Sequence, residues 1–572
     1  MSLKAGLEVH QQLDCGKLFC KCDEFDIEDN LVFKRKLHAT SSEMGNIDIA
    51  AKSEGIREFT YFNRGCNCLV YTDEEPPRGP NKKAVDIALQ FAKLVNSTIL
   101  EEVHFMRKVV VDGSNTSGFQ RTALIATGGQ IQYEGGILEL DQICLEEDSC
   151  RHGKNKDEYL LDRLGIPLLE VTTKPQLKES NQVQQAAKAL GRLLRACHVK
   201  RGLGTIRQDV NVSINGGQRV ELKGFQDLSS MPQVVENEML RQSNLNNLSK
   251  GKTSEPIIVS EYFKDRKFAI ACKLVGWKGI LGTNKSEKNH VRMGRELADY
   301  AKKAGVKGLM HSDELPAYGI SEKETGKLHE ILDCQDKDAF ILIFGEENMA
   351  KDAIQRVIER VKTTGVPKEV RRVTPENLTR YIRPMPGASR MYPETDIPPL
   401  KLKDIQVIVP KTLDEREKLL PLNDEESKQM VSRNLDQRFK SLMGHCKEPK
   451  IMSRILLHTL PNIVSKDIPL ISDNEIITVL DLVNKERISK EGIEEALIQM
   501  ATGQEIQLGS KNIEEEVERF IDLLIKKKKE FVKERGMSAI GPLMGPVMSE
   551  FRGKIDGAKI NALLIDRIKN EI

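Results

Sequence analysis

The chain has 572 residues, 39% hydrophobic and 30% charged, with 87 basic against 85 acidic side chains and a formal net charge of +2. That length exceeds one core and fits three or four domains of about 150 residues each, and apolar residues recurring throughout exclude a disordered chain. Near-balanced charge excludes a protein that coats nucleic acid by bulk charge, so any RNA contact must come from local basic clusters; no run approaches the roughly 18 apolar residues of a membrane span. The 11 cysteines are scattered and odd in number, which points to reduced thiols in a cytoplasmic protein. Residues 1–5 have no apolar core of signal-peptide length.

Residues 1–265 read mainly as β-structure. Short apolar runs recur at 6–13, 109–111, 123–126, 137–145, 167–171 and 210–214, and glycine pairs at 128–129, 135–136 and 216–217 suit hairpin turns. Two helices interrupt: 82–96, with Ala84, Ile87, Ala88, Phe91 and Leu94 on one face, and 181–197. This mix predicts an α+β fold with a large antiparallel sheet. From about 268 to 385, strands at 268–274, 306–311 and 339–344 alternate with helices at 291–303, 321–332 and 349–362. This compact α/β unit reads as an insertion, because 390–400 resumes the chemistry of the first part. Residues 402–510 are helical, with Ser472 and Asp473 placed to cap a helix over 474–484. Residues 511–572 predict three helices. The first, 513–535, carries Lys526, Lys527, Lys528, Lys529, Lys533 and Arg535, and Gly541-Pro542 and Gly545-Pro546 punctuate the joint after it.

Several segments could carry chemistry. Alternation in GLEVHQQL (6–13) puts Glu8, His10 and Gln12 on one strand face, where a carboxylate and an imidazole can share a metal ion. Taken alone, the pair also fits an edge strand with a solvated polar face. Glu146, Glu147 and Asp148 end an apolar strand and repel one another unless a cation lies near. Alternation lets only one of Glu146 and Glu147 point inward, and Glu146 is favoured. Glu170 stands between apolar residues in a strand expected to be buried, and an unpaired carboxylate there costs several kcal/mol, which favours metal ligation or catalysis. Arg207, Asp209 and Asn211 share one side of a strand, and Glu221 and Lys223 one side of the next; such a face suits a nucleotide, or else a cross-strand ion-pair ladder. Arg390 to Ile397 is a proline-broken acidic loop fit for a substrate loop or a hinge. Cys20, Cys22, Cys66 and Cys68 form two C-x-C pairs that could make a four-thiolate zinc site, or stand as reduced thiols in hairpins. The lysine-rich helix at 526–535 fits nucleic-acid phosphates or a solvated surface equally.

In this order the segments resemble the tRNA-dependent amidotransferases nearly end to end: GLEVHQQL (6–13), KLFCKC (17–22), LVYTDEEPPRGPNKKAVDIAL (69–89), LEED (145–148), IPLLEVTT (166–173), IRQDVNVSI (206–214), VELKGFQDL (220–228) and SRMYPETDIPPL (389–400). The pattern is common to the B and E subunits of glutamyl-tRNA(Gln) amidotransferase. Three details favour the archaeal E form: LVYTDEEPP at 69–77, SGFQRT at 117–122, and the α/β segment at 268–385, which is similar to the insertion domain of bacterial-type aspartyl-tRNA synthetases and is absent from the B form. The cysteines depart from the zinc-type pattern of the B form, in which C-x-C is followed by C-x-x-C.

The resemblance implies an antiparallel-sheet cradle domain (1–267 with 386–401) for the kinase and transamidase site. It also implies the inserted aspartyl-tRNA synthetase-like domain (268–385), a helical domain (402–510) and a C-terminal tail domain (511–572) that grips tRNA. The implied activity is a carbon–nitrogen ligase using glutamine as amide donor. ATP phosphorylates the γ-carboxylate of glutamate misattached to tRNA(Gln), and ammonia displaces phosphate. Ammonia would come from the D subunit, an asparaginase-like glutaminase, in a heterodimer or dimer of heterodimers. Phosphorylating a carboxylate calls for Mg2+. His10, Glu146 and Glu170 are the expected ligands, with Glu147 the alternative to Glu146 and Glu8 in support. Arg207, Asp209, Asn211, Glu221 and Lys223 would face the nucleotide or acyl phosphate, with no Walker-type loop present. Alternatives are a B-type Asp/Glu-tRNA amidotransferase, a synthetase relative (no His-Ile-Gly-His or Lys-Met-Ser-Lys-Ser element occurs) and a non-catalytic tRNA-binding scaffold.

Overall fold

Strand β1 (Leu3–Gln12) is built by strict alternation: Leu3, Ala5, Leu7 and Val9 are buried on one side, while Glu8 and His10 on the other are only partly covered. The structure, a computed structural model, describes all residues except 23–30, 42–44, 64–66, 226, 249–250, 264–265, 267, 283–291, 364, 486, 507–512, 552–554 and 572. It divides into two compact units, Met1–Pro410 and Lys411–Ile572.

In the first unit, helix α1 (Lys82–Leu94) starts at Asn81, whose side chain accepts from Lys83 N. Then follow β2 (Phe105–Val109), β3 (Phe119–Thr127), β4 (Gly136–Glu147), β5 (Pro167–Thr173), α2 (Ser180–Leu194), β6 (Ile206–Ile214), β7 (Val220–Lys223) and α3 (Met231–Asn246). Next come β8 (Ala269–Val275), α4 (Met293–Lys302), α5 (Glu322–Ile331), β9 (Ala339–Phe344), α6 (Glu347–Lys362), β10 (Glu369–Val373), β11 (Thr379–Pro384) and β12 (Met391–Pro393). A 12-stranded sheet runs in the order β11-β10-β7-β6-β1-β5-β4-β3-β2-β12, with Thr98–Ile99 and Gln130–Tyr133 joining at β3 and β4. Its pairings are antiparallel except β7 with β10. Helices α1, α2 and α3 pack on β4, β1 and β6. They cover the apolar face, so Glu8 and His10 point to the other.

A second sheet is centred on β8 and β9, paired from Ala269↔Phe344 to Leu274↔Ala339. Strand β8 also pairs with Lys252–Thr253 and Ile257–Ile258. This α/β region therefore begins before 268. It ends before 369, because β10 pairs in parallel with β7 of the large sheet. The expected bounds of 268–385 are too late at both ends, since edge strands join the sheet whose partner they can reach. At the C-terminal end of the first unit, Leu400–Lys401 pairs with Glu102–Val103, and Leu402 is buried in the same core. This carries the unit to Pro410, past the expected 401.

Gly128-Gly129 is not a hairpin turn. Phe119–Thr127 and Gln130–Tyr133 both pair with β4 and lie on one line, with Thr127↔Gln142 followed by Gln130↔Glu139. The glycines, at φ +67 and +97, bend one long strand whose turn is Glu134-Gly135. Asn215-Gly216, both at positive φ, does turn β6 into β7.

The second unit is helical, with one core from Leu413 to Leu497 and another from Val517 to Ile568. Helix Asp473–Asn484 has the full capping box of Ser472 with Glu475. The helix expected over 513–535 is broken: Ile513–Lys527 and Lys529–Arg535 flank Lys528 at φ −116, ψ 31. The buried stripe Val517, Ile521, Ile525 lapses over the lysine run and resumes at Val532, so nothing apolar ties 526–530 to the core. Gly541-Pro542 and Gly545-Pro546 lie within helix Ile540–Phe551, not in a joint. Pro542 falls in the first turn, where a missing N–H costs nothing, and the buried Leu543, Val547 and Phe551 hold the helix across Pro546. Four α-helices, rather than three, follow residue 512 among the described residues. No helix there is long and apolar enough to cross a membrane.

Candidate active site

Strand β1 lies between β5 and β6, so every polar side chain on its open face meets two neighbours. His10 is opposite Glu170 on β5 and Arg207 on β6; Glu8 is opposite Thr172 and Asp209. His10 Nε2 lies 3.1 Å from Glu170 Oε2 and 3.7 Å from Glu8 Oε1. Next to β5, strand β4 sets Glu146 opposite Leu168, one diagonal step from Glu170. Candidate ligand atoms of His10, Glu146 and Glu170 all lie within 4.8 Å of one another, as do those of Glu8, His10 and Asp209.

The row continues at both ends. Lys108 on β2 pairs with Glu146, and its Nζ lies 3.4 Å from Glu170 Oε2. Gln120 Nε2 donates to Glu146 Oε2 at 3.2 Å. At the other end Lys223 Nζ is 2.5 Å from Asp209 Oδ2 and also pairs with Glu221. Five carboxyl groups, those of Glu8, Glu146, Glu170, Asp209 and Glu221, thus share one row with the ammonium groups of Lys108 and Lys223.

The ionisation of these groups follows from the packing. Burial, reinforced by Glu221 and Glu170, pushes Glu8 up to about 7 against the pull of Lys223. Burial and the Glu170 charge likewise raise Glu146. Burial acts upward on Glu170 too, but Lys108 and the His10 contact outweigh it and hold that carboxyl well below the usual range. For His10, burial favours the neutral ring, yet Glu170 wins and the imidazole is raised.

The donors suit a hard divalent ion, with carboxylate oxygens around a single imidazole. His10 Nδ1, Thr172 Oγ1 and Asn211 Oδ1 are buried without hydrogen-bond partners, as polar atoms are where a ligand or water completes them. The Arg383 guanidinium, with an orphaned Nε, and Arg390, whose Nε donates to Val109 O at 3.1 Å, supply positive charge near Glu221 and Glu146.

Other expected residues lie elsewhere. Glu147 points to the opposite face, where Arg121 N donates to its Oε2 at 3.0 Å and Arg121 also binds Glu394. Strand alternation therefore keeps Glu147 from joining His10. Arg207 is held by Asp148 at 3.0 Å, and Asp148 also accepts from Gln12 Nε2 at 2.6 Å. The thiol sulfurs of Cys20, Cys22 and Cys68 lie within 4.8 Å of one another; Cys66 lies outside the described residues. Lys526, Lys527, Lys528, Lys529, Lys533 and Arg535 are all exposed. Lys108, Gln120, Thr172 and Arg383 also belong to the row, although no local motif marks the last three. Lys108 has a signal: in Arg107-Lys108 leading into Val109-Val110-Val111, alternation sends the two cations to opposite faces of the strand, and each needs a counter-charge.

Residues 3–407 match the GatB/GatE catalytic domain, and residues 437–568 match the GatB domain. The chain belongs to the GatB/GatE family, and within it to the GatE type. It is 40% identical to the E subunit of glutamyl-tRNA(Gln) amidotransferase from Archaeoglobus fulgidus, over 100% of this chain and 99% of that one. It is 39% identical to the same protein of Thermococcus gammatolerans, over 100% and 98%, and 40% identical to that of Methanocaldococcus jannaschii, over 100% and 99%.

Proposed function

We infer that this chain converts glutamate carried on tRNA(Gln) to glutamine, with ATP activating the γ-carboxylate and ammonia as nucleophile. The observation that carries the reading is the His10–Glu146–Glu170 cluster at the middle of the sheet, in a chain similar over its full length to amidotransferase E subunits. A γ-carboxylate oxygen attacks the γ-phosphorus of ATP, giving γ-glutamyl phosphate and ADP. Ammonia then attacks the acyl carbon, phosphate leaves, and the nitrogen sheds a proton to become the amide.

His10, Glu146 and Glu170 would hold Mg2+, which when bound offsets charge on the phosphate oxygens. Arg383 and Arg390 add fixed positive charge on the phosphate side. Lys223, clamped by Asp209 and Glu221, is positioned for an oxygen of the acyl phosphate. Glu8, poised near 7, is suited to accept the proton released from the attacking ammonia. Arg207 and Asn211 flank this row, one bound to Asp148 and the other with a free carbonyl oxygen. Glu147 supports the sheet from behind.

The wider reading follows the family. Residues about 252–362 form the aspartyl-tRNA synthetase-like insertion, and the exposed lysines at 526–529 contact tRNA phosphates. Cys20, Cys22 and Cys68, with Cys66, bind zinc. An asparaginase-like glutaminase, the D subunit, supplies ammonia within a heterodimeric assembly in the cytoplasm. Incubation of the chain with glutamyl-tRNA(Gln), ATP, Mg2+ and ammonium tests the reading. The expected product is esterified glutamine with ammonium but not with free glutamine. Esterified glutamate alone, in the ammonium reaction, contradicts the reading.

A further inference from the structure

A cavity of about 1030 Å³ lies in the α/β region, away from the acidic row, between the start of α4, the 305–311 segment, β9 and the start of α6. Arg292, Arg295 and Lys307 line it, and none of the three has an ion-pair partner among the described residues. This is unusual here: the neighbouring Arg241, Arg371 and Arg380 are each bound to carboxylates. Arg292 Nε is buried without a partner. Burial and repulsion from Arg380 and Arg292 outweigh the pull of Asp299 and Glu376 on the charge of Arg295, a balance that an anion in the cavity would relieve. His311, 3% exposed, also lines the cavity with Nδ1 unsatisfied, while its Nε2 stands 3.6 Å from Glu314. Glu314 and Glu346 are the acids of the lining, set against four cations once Arg266 is counted. The first turn of α4 adds the positive end of its dipole.

Another part of the lining is apolar. Leu309, Met310, Leu342 and Phe344 form part of it. The Arg266 guanidinium lies 4.8 Å from the Phe344 ring centre and donates to Tyr318 O at 2.7 Å, making a cation-and-ring shelf of the kind on which bases stack. The volume is far larger than one phosphate needs and at the upper end for small-molecule sites.

We propose that this cavity is a second ligand site that takes a nucleotide, its phosphate held by Arg292, Arg295 and Lys307 and its base laid against the Arg266–Phe344 shelf. Both a free nucleotide and one within an RNA strand have this chemistry. The full chain is photolabelled with 8-azidoadenosine 5′-monophosphate and, separately, with a single-stranded RNA oligonucleotide carrying 4-thiouridine, and crosslinked peptides are mapped by mass spectrometry. Crosslinks are expected within 292–318 or 342–349, and Lys307→Glu and Arg295→Gln are expected to weaken them about tenfold while crosslinks to the large sheet persist. Lys307 is exposed, so its substitution leaves the fold intact even if Arg295→Gln does not. Labelling by the mononucleotide identifies a free nucleotide as occupant, and labelling by the oligonucleotide alone identifies an RNA-borne one. No crosslink in this cavity with either probe, or crosslinks undiminished in the folded variants, overturns the proposal.

Discussion

His10 and Glu170 face each other across adjacent antiparallel strands, Nε2 to Oε2 at 3.1 Å, and this pairing fixes the centre of the acidic row. Glu146 reaches it from β4, Glu8 and Asp209 from the other side. Because each residue sits in the register of one sheet, the row is as rigid as the sheet itself, which is what a site for in-line transfer requires.

Glu8 gives the row a pH signature. Its folded value near 7 lies above the ordinary carboxyl value of about 4.3. A carboxyl raised on folding contributes stability that is present in full below the unfolded value and lost as pH rises through the folded one. In chelator-treated buffer, Glu8→Gln is therefore expected to match wild type near pH 4.5 and to be the more stable protein above pH 7, by on the order of 1–3 kcal/mol. Denaturant unfolding at the two pH values checks this; a gap that does not grow with pH contradicts it. Ammonium-dependent amidation should also lose its rise through pH 7 in this variant.

Arg371 is a structural counterpart. It is 1% exposed and binds Glu296 at 2.9 Å and Glu369 at 2.6 Å, while Arg241 binds Glu238 and the same Glu296. The network joins α3, α4 and β10, so it ties the α/β region to the large sheet. Arg371→Met leaves the three buried carboxylates of Glu238, Glu296 and Glu369 to share Arg241 alone and is expected to cost about 3–5 kcal/mol, read as a lowered denaturation midpoint. A loss below about 1 kcal/mol would mean that the acids simply take up protons or water.

The exposed lysines at 526–529 predict a change in salt dependence rather than in chemistry. Replacing all four with alanine is expected to weaken tRNA binding at least tenfold at moderate salt and to flatten the slope of affinity against salt. The amidation rate at saturating tRNA should hold. Unchanged affinity and slope would place the tRNA elsewhere.

Much of this was legible in the chain. Alternation of Leu7, Val9 with Glu8, His10 gave both the strand and its open face, and it separated Glu146 from Glu147. Glu170 announced itself as a carboxylate in an apolar run. What alternation cannot carry is the order of strands. Nothing local says that Lys108 lies across two strands from Glu170, or that residues 369–384 return to the large sheet. Gly128-Gly129 misled because a bend in a strand and a turn between strands call for the same backbone freedom, and only the shared register with β4 distinguishes them. The break at Lys528 was hidden for a related reason: helix propensity is high through 526–530, and the lapse is in tertiary packing.

ATP-dependent amidation by the acidic row is the step on which the proposed function stands. It is tested most directly by single-turnover conversion of glutamyl-tRNA(Gln) with ATP, Mg2+ and ammonium in Glu170→Gln, beside a direct measurement of tRNA affinity. Glutamine is long enough to keep a hydrogen bond to His10 but removes the charge. At least a hundredfold loss in amide formation is expected, with tRNA affinity within about twofold of wild type, a loss of roughly 2.7 kcal/mol or more in transition-state stabilisation. Full conversion at the wild-type rate would contradict it.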